Sequence, residues 1–265
     1  MNTVTLDALD VAIAAILVLV HAALSVAFQL GIARQVLIAA ARMVVQLILL
    51  GHVLRLLFTA TSPWWTLLAA VAMLLFAGRE VGARQERRLA RGWNFGIGTG
   101  AMLLASTIVT MLALTTAVRP DPWYAPRFSV PILGMVLGNT MTGVALGMRA
   151  VTERLTRERP GVEARLLLGA SRWEATRTVS QGAMRTALLP IVQTMAATGL
   201  VFIPGAMTGQ LLAGAEPEQA VLYQMLLIFL IAGGTALGSS FAIWAMLARL
   251  TDARDRLRLD RLARR

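Results

Sequence analysis

The sequence predicts an all-α integral membrane protein, and three observations carry that reading. Of the 265 residues, 57% are hydrophobic, and the mean hydropathy is +0.68, well above a soluble domain. Apolar stretches of roughly 20 residues recur, each about long enough to cross the ~30 Å hydrocarbon layer as a helix. The net charge of +11 comes from arginine alone, since the chain has no lysine, and those arginines fall on one side of the alternating loops.

Seven spans follow from the hydropathy, at about 8–31, 36–58, 64–80, 94–117, 129–150, 187–213 and 220–247. Together they make residues 1–265 one transmembrane domain, with a polar segment at about 151–186 between spans 5 and 6. The N-terminal "MNTVTLDALDVAIAAILVLV" carries Asp7 and Asp10 where a cleavable signal carries positive charge, so it reads as an uncleaved first span. Cysteine is absent, which removes disulfides, thiolate metal sites and thiol chemistry.

Charge orients the spans. With the N-terminus outside, 21 of the 25 arginines lie in cytoplasmic segments, among them the clusters Arg79–Arg91, Arg149–Arg185 and Arg249–Arg265. Only Arg119 and Arg127 lie in external loops, while Arg42 and Arg55 fall within span 2. This is the positive-inside pattern, giving N-out and C-in, and it explains the charge by topology and anionic lipid rather than by nucleic acid. Trp64, Trp65, Trp123 and Tyr124 fall at the outer interface, and Trp93 and Trp244 near the inner one, as an aromatic belt requires.

The stretch "GVEARLLLGASRWEA" (161–175) interrupts this pattern. Pro160-Gly161 should end the extension of span 5. "VEARLLLGA" is one or two helical turns stopped by Gly169. Ser171 and Glu174 have the spacing of a capping box that starts another helix. The expectation is a short helix between two bends, parallel to the membrane surface, with Leu166 and Leu167 as its apolar knobs. An interfacial amphipathic helix without a partner would look similar, but the length of this segment and its own start and stop signals suit docking into a soluble partner.

"EARLLLGAS" resembles the cytoplasmic coupling-helix motif of ABC transporter permeases. Glu163, Ala164 and Gly169 match it, the glycine lying six residues after the glutamate, and Arg165 replaces a second alanine. Leu189-Pro190 ends 21 residues after Gly169, later than in importer-type motifs. "PILGMVLGNTMTGVALGMR" (131–149), "GLVFIPGAMTGQLLAGAEPEQAVLYQMLLIF" (199–229) and "ARMVVQLILLGHVL" (41–54) strongly resemble the Fet-type iron-export permease family, which includes plant aluminium-tolerance proteins. That resemblance implies a non-enzymatic permease subunit in the cell inner membrane, acting as a homodimer with two ATP-binding subunits. ATP and Mg would be bound by that partner, leaving no cofactor in this chain. The coupling residues it implies are Glu163, Ala164, Arg165, Leu166, Leu167, Gly169, Ala170 and Arg172. The chain itself has no G-x-x-x-x-G-K-[ST] phosphate loop and no lysine to make one.

Polar and helix-breaking residues within spans are the pathway candidates. Arg42 and Gln46 share a face of span 2; Arg42 either snorkels or pairs structurally, or lines a gate. His52 is a lone histidine suited to helix–helix hydrogen bonding. Asn139 and Thr142 lie in span 5, beside the small-residue ridges Gly134-Gly138-Thr142 and Gly143-Gly147. In span 6, Pro204, Gly205, Thr208, Gly209 and Gln210 form "PGAMTGQ", read as a kink that is either an outer gate or structural. No histidine pair and no carboxylate lies within a span, so metal ligands stay unknown and iron rests on resemblance. A secondary transporter is a competing reading, though it would want an intramembrane carboxylate or an inverted repeat. A non-transporting scaffold or sensor is another.

Overall fold

The computed structural model describes residues 7–59, 62–252 and 254–264, so Arg265 of the predicted cytoplasmic tail lies outside the described residues. The chain forms two compact units, Met1–Thr61 and Ser62–Arg265. In the first, α1 (Ala8–Ala27) and α2 (Ala33–Thr59) pack on one another. Gln29 and Gly31 turn the chain between them at φ of 53° and 71°, and the Ser25 hydroxyl accepts the Ile32 N–H at 3.2 Å.

The second unit contains α3 (Pro63–Ala83), α4 (Trp93–Leu112) with a π-helical extension (Ala113–Val118), α5 (Pro126–Arg157), α6 (Arg159–Leu167) and α7 (Arg172–Ala175). It continues with α8 (Arg177–Ala197), α9 (Gly205–Leu212) and α10 (Pro217–Leu250). Pro63, Pro126 and Pro217 stand in the first turns of their helices, where no N–H is needed and φ is already set. At 32 and 34 residues, α5 and α10 run about 48 and 51 Å at 1.5 Å per residue, longer than the hydrocarbon layer.

Helices α4, α5, α8 and α10 close on small residues. A Cβ on Gly143 would fall 2.5 Å from Thr235 Cγ2 and 3.1 Å from the Ala187 carbonyl, so only glycine admits this contact of α5 with α8 and α10. Gly147 continues that ridge against Ala187 and Ile243. The other predicted ridge is not a packing face throughout, because a Cβ on Gly138 would meet nothing within 4 Å among the described residues.

Six described helices are long and apolar enough to cross a membrane: α1, α2, α3, α4 with its extension, α5 and α10. The molecule is an all-α, multi-pass membrane protein. The predicted span 187–213 is not one helix. It stops at Ala197 and restarts at Gly205, because Gly199 takes φ +82° and turns its N–H to the Phe202 carbonyl at 3.1 Å. Pro204 is the N-cap of α9 rather than a kink within a helix, and the proline that does sit inside a helix here is Pro190 of α8.

Several contacts bring distant chain segments to one end of the second unit. β1 (Arg87–Leu89) pairs antiparallel with β2 (Leu262–Arg264). Arg149 bridges Glu86 at 3.0 Å, the Arg249 guanidinium lies 4.2 Å over the Trp93 ring, and Asp255 accepts the Arg172 N–H at 2.9 Å. The ends of α3, α5 and α10 and the starts of α4 and α8 therefore share that end. Since α10 also finishes there, residues 177–216 lead from that end to the start of α10 as two helices, α8 and α9, joined by a loop.

Candidate functional site

Beyond α5 the chain breaks at Glu158, and Pro160 occupies the first turn of α6. The proline thus starts the short helix, and Gly161 lies inside it. At the other end the Ala170 N–H reaches the Arg165 carbonyl at 3.0 Å and the Gly169 N–H reaches Leu166 at 3.1 Å, with Gly169 at φ +90°. This is a Schellman turn, which only glycine enters freely. Next, the Ser171 N–H and hydroxyl donate to Glu174 Oε2 at 2.9 and 2.7 Å, closing the capping box and starting α7. Those bonds, first from the hydroxyl and then from the backbone, hold the Glu174 carboxyl below its ordinary value.

The candidate coupling residues divide into a clamp and a tip. Arg165 donates to the Ala175 carbonyl and to Thr178 Oγ1, both at 3.2 Å, so it joins α6 to α7 and α8. Glu163 pairs with Arg159 at 2.8 Å. Leu166 and Ala170 pack inward on the core, below Val162 and Ala175, which are fully buried. Ala164 is exposed. The outward tip is Leu167 and Leu168, each 88% exposed. The expected knobs are Leu166 and Leu167; the last-turn phase instead packs Leu166, half-buried, against the core and presents Leu168. Arg172 stands 5.0 Å over the Trp173 ring, and Trp173 stacks on Trp244 of α10 at 6.2 Å and 8°.

Two supports leave no mark in the sequence pattern. Asp255 meets the N-terminus of α7 from the tail, where a carboxylate suits the free N–H groups. Its turn is fixed by Asp252, whose carboxyl desolvation would raise but which hydrogen bonds from Arg256 and Arg254 hold at about 2. Gly182 lets α8 close on the Arg154 guanidinium, and Thr178 Oγ1 lies 3.5 Å from Glu158 Oε2.

The pathway candidates are divided between the two units. Arg42 and Gln46 are exposed on α2 of the first unit. His52 Nδ1 lies 2.8 Å from the Ile48 carbonyl, a contact within its own helix rather than between helices. Asn139 Nδ2 donates to the Met135 carbonyl at 2.9 Å, and Thr142 is half-buried with its hydroxyl 3.3 Å from the Gly138 carbonyl. Pro204 caps α9, Gly205 opens it, Thr208 donates back to the Pro204 carbonyl at 3.2 Å, and Gly209 has open space around it. Gln210 Oε1 is buried and finds no hydrogen-bond partner among the described residues, as does Gln224 Oε1 on α10. The preceding loop exposes Leu200, Val201 and Ile203. Among the described residues, no group of three or more His, Asp or Glu side chains comes together to hold a metal ion.

The model of the uncharacterised protein family UPF0014 matches residues 8–251. The rice UPF0014 membrane protein STAR2 is 36% identical over 217 residues, covering 82% of this chain and 74% of its own. Arabidopsis thaliana ALUMINUM SENSITIVE 3 is 31% identical over 229 residues, 86% and 81% of the two chains. The probable iron export permease protein FetB of Escherichia coli is 26% identical over 265 residues, the whole of both. No solved structure matches. On the extent of these matches, the chain belongs to the UPF0014 family of membrane proteins.

Proposed function

We propose that the chain is the permease subunit of an ABC transporter, working as a homodimer with two separate ATP-binding subunits, N-out and C-in, in the cell inner membrane. The transport direction and solute follow the relative named as an iron export permease: export of iron or another metal. The carrying observation is the pair Leu167-Leu168, both 88% exposed, at the tip of a helix whose base is clamped to α5, α7 and α8. A polar segment that turns two leucines to solvent is built to bury them in a partner. ATP and Mg belong to that partner, whose nucleotide-driven closure pushes the tip. The clamp passes the push to α8 as a rigid-body shift, opening the membrane's two sides in turn.

The metal travels as a complex, or on hydroxyl, amide and carbonyl oxygens such as Gln210 Oε1, because clustered hard ligands are missing among the described residues. The test is co-purification with the co-expressed ATP-binding subunit. Burial of each leucine is worth about 1.5–3 kcal/mol, so Leu167→Ser with Leu168→Ser should weaken association by about a hundredfold or more and abolish solute-stimulated ATP hydrolysis. Full association and turnover in that double variant would leave the segment an interfacial helix.

A further inference from the structure

A cavity of about 430 Å³ lies in the second unit where three segments meet. Its walls are Arg87 of β1, Thr156 and Arg159 at the junction of α5 and α6, and Leu259, Leu262 and Ala263 of the tail. Its size suits a small ligand. Among the described residues, its charged side chains are both arginines, and no carboxylate lines it. Arg87 is half-buried, and its guanidinium donates to one group, the Thr156 hydroxyl. That hydroxyl gives its own proton to the Thr152 carbonyl at 2.7 Å. The other half-buried arginines meet charge, rings or carbonyls. Arg154 and Arg258 face carboxylates, Arg172 and Arg249 lie over tryptophan rings, and Arg88 and Arg261 donate to carbonyls. Glu86, next to Arg87 in the chain, is taken by Arg149 at 3.0 Å. Arg159 gives its Nε–H to Glu163 at 2.8 Å, which leaves its Nη donors without a partner among the described residues.

We propose that this cavity binds a phosphate monoester, with Arg87 and Arg159 holding the phosphate and the tail leucines receiving the organic part. A monoester carries about two negative charges at neutral pH, which matches two guanidiniums. It also offers three oxygens to their paired N–H groups, where a carboxylate offers two. Thr156 keeps the Arg87 head at the wall of the cavity instead of letting it swing in solvent, so less side-chain freedom is lost on binding. Leu259 and Leu262 are only half-buried and leave apolar surface for the carbon part of the ester. The ester is either a soluble metabolite or the headgroup of a lipid, and both present the same phosphate.

The experiment is titration calorimetry of the full chain in neutral detergent at fixed ionic strength, with glycerol 3-phosphate and dihexanoyl phosphatidic acid as separate probes. Saturation by glycerol 3-phosphate marks a soluble ester, and saturation by phosphatidic acid alone marks a lipid headgroup; either supports the proposal. Arg87→Gln should weaken the binding about tenfold or more. Arg185→Gln, exposed on α8 and away from the cavity lining, should leave it unchanged. Should Arg87→Gln disturb the β1–β2 ladder and fail to fold, Arg159→Gln, exposed and outside the ladder, carries the same expectation. No saturable binding of either probe, equal binding by the glutamine variants, or equally tight binding of octanoate or dihexanoyl phosphatidylcholine each overturns the proposal. The readout is ligand binding by the chain alone, so it stands or falls apart from the permease reading.

Discussion

Gly169 holds φ at +90° with nothing within 4 Å of the place a Cβ would occupy, so the constraint there is the backbone angle and not crowding. A valine would cost about 1–2 kcal/mol in a left-handed conformation and should unwind the Schellman turn that aims Leu167 and Leu168. Gly169→Val should therefore lower co-purification and stimulated turnover of the ATP-binding subunit severalfold with membrane insertion unchanged, while Gly169→Asn, a tolerated left-handed residue, should recover much of it. Arg88→Ala, outside the segment, should change neither. Gly169 and the Ser171–Glu174 box were readable because their signals lie within four residues of one another. Leu168 was not, because three consecutive leucines leave the inward one to be chosen by how α6 seats on α5. Asp255 was not either, since its bond to Arg172 spans 83 positions.

Helix α8 joins the α6–α7 segment to the loop that precedes α9. It begins beside α7 and, at 21 residues, ends about 30 Å away at the Gly199 turn that leads into α9. On the permease reading, a displacement of α6 and α7 would reach residues 198–204, where the chain leaves helix between α8 and α9. Sequence pattern located a break but assigned it to Pro204. The apolar run "GLVFIPG" offers no polar punctuation, and the helix-ending glycine at 199 reads like any small residue of a membrane helix. Pro204 sits at φ −61° and ψ 144°, which alanine adopts readily, so Pro204→Ala should leave flux into vesicles within about twofold. Gly199→Val, strained at φ +82°, should reduce flux about tenfold or more while ATP-subunit binding persists. The mount of α7 makes a separate prediction on pH. Glu174 and Asp252 are depressed carboxylates, so their contribution is complete above the ordinary carboxylate range of about 4. It is lost as pH falls through their lowered values, about 2 for Asp252. Amide protection of Arg172–Ala175, corrected for intrinsic exchange, should match at about pH 7 and 5.5 and drop at about pH 3; a drop between the upper two would contradict the assignment.

For the whole molecule, the arginine distribution and the packing argue together. Hydropathy placed six long spans that are all helices, although α5 and α10 run well past the expected 129–150 and 220–247, and the expected seventh is two helices with a loop between them. The contacts at Arg172, Trp93 and Trp173 put the end of α10 beside the start of α8. Residues 177–216 must then reach the far end before α10 returns, which supports a seventh crossing made of two helices and a loop. The arginine-rich end of the unit holds Arg84, Arg149, Arg165 and Arg258, and its other end holds Arg119, Asp121 and Glu216. A sequence without cysteine permits a direct test by single substitutions. In intact cells, Asp121→Cys and Glu216→Cys should react with a membrane-impermeant maleimide. Leu168→Cys, 88% exposed at the coupling tip, and Arg254→Cys in the tail should react only after the membrane is opened. Labelling of Glu216→Cys only in opened membranes would mean that α8 and α9 turn back without crossing, and the seven-span topology would fall. Labelling of Leu168→Cys from outside would invert the molecule and remove the ATP-binding subunit from the side where its nucleotide is.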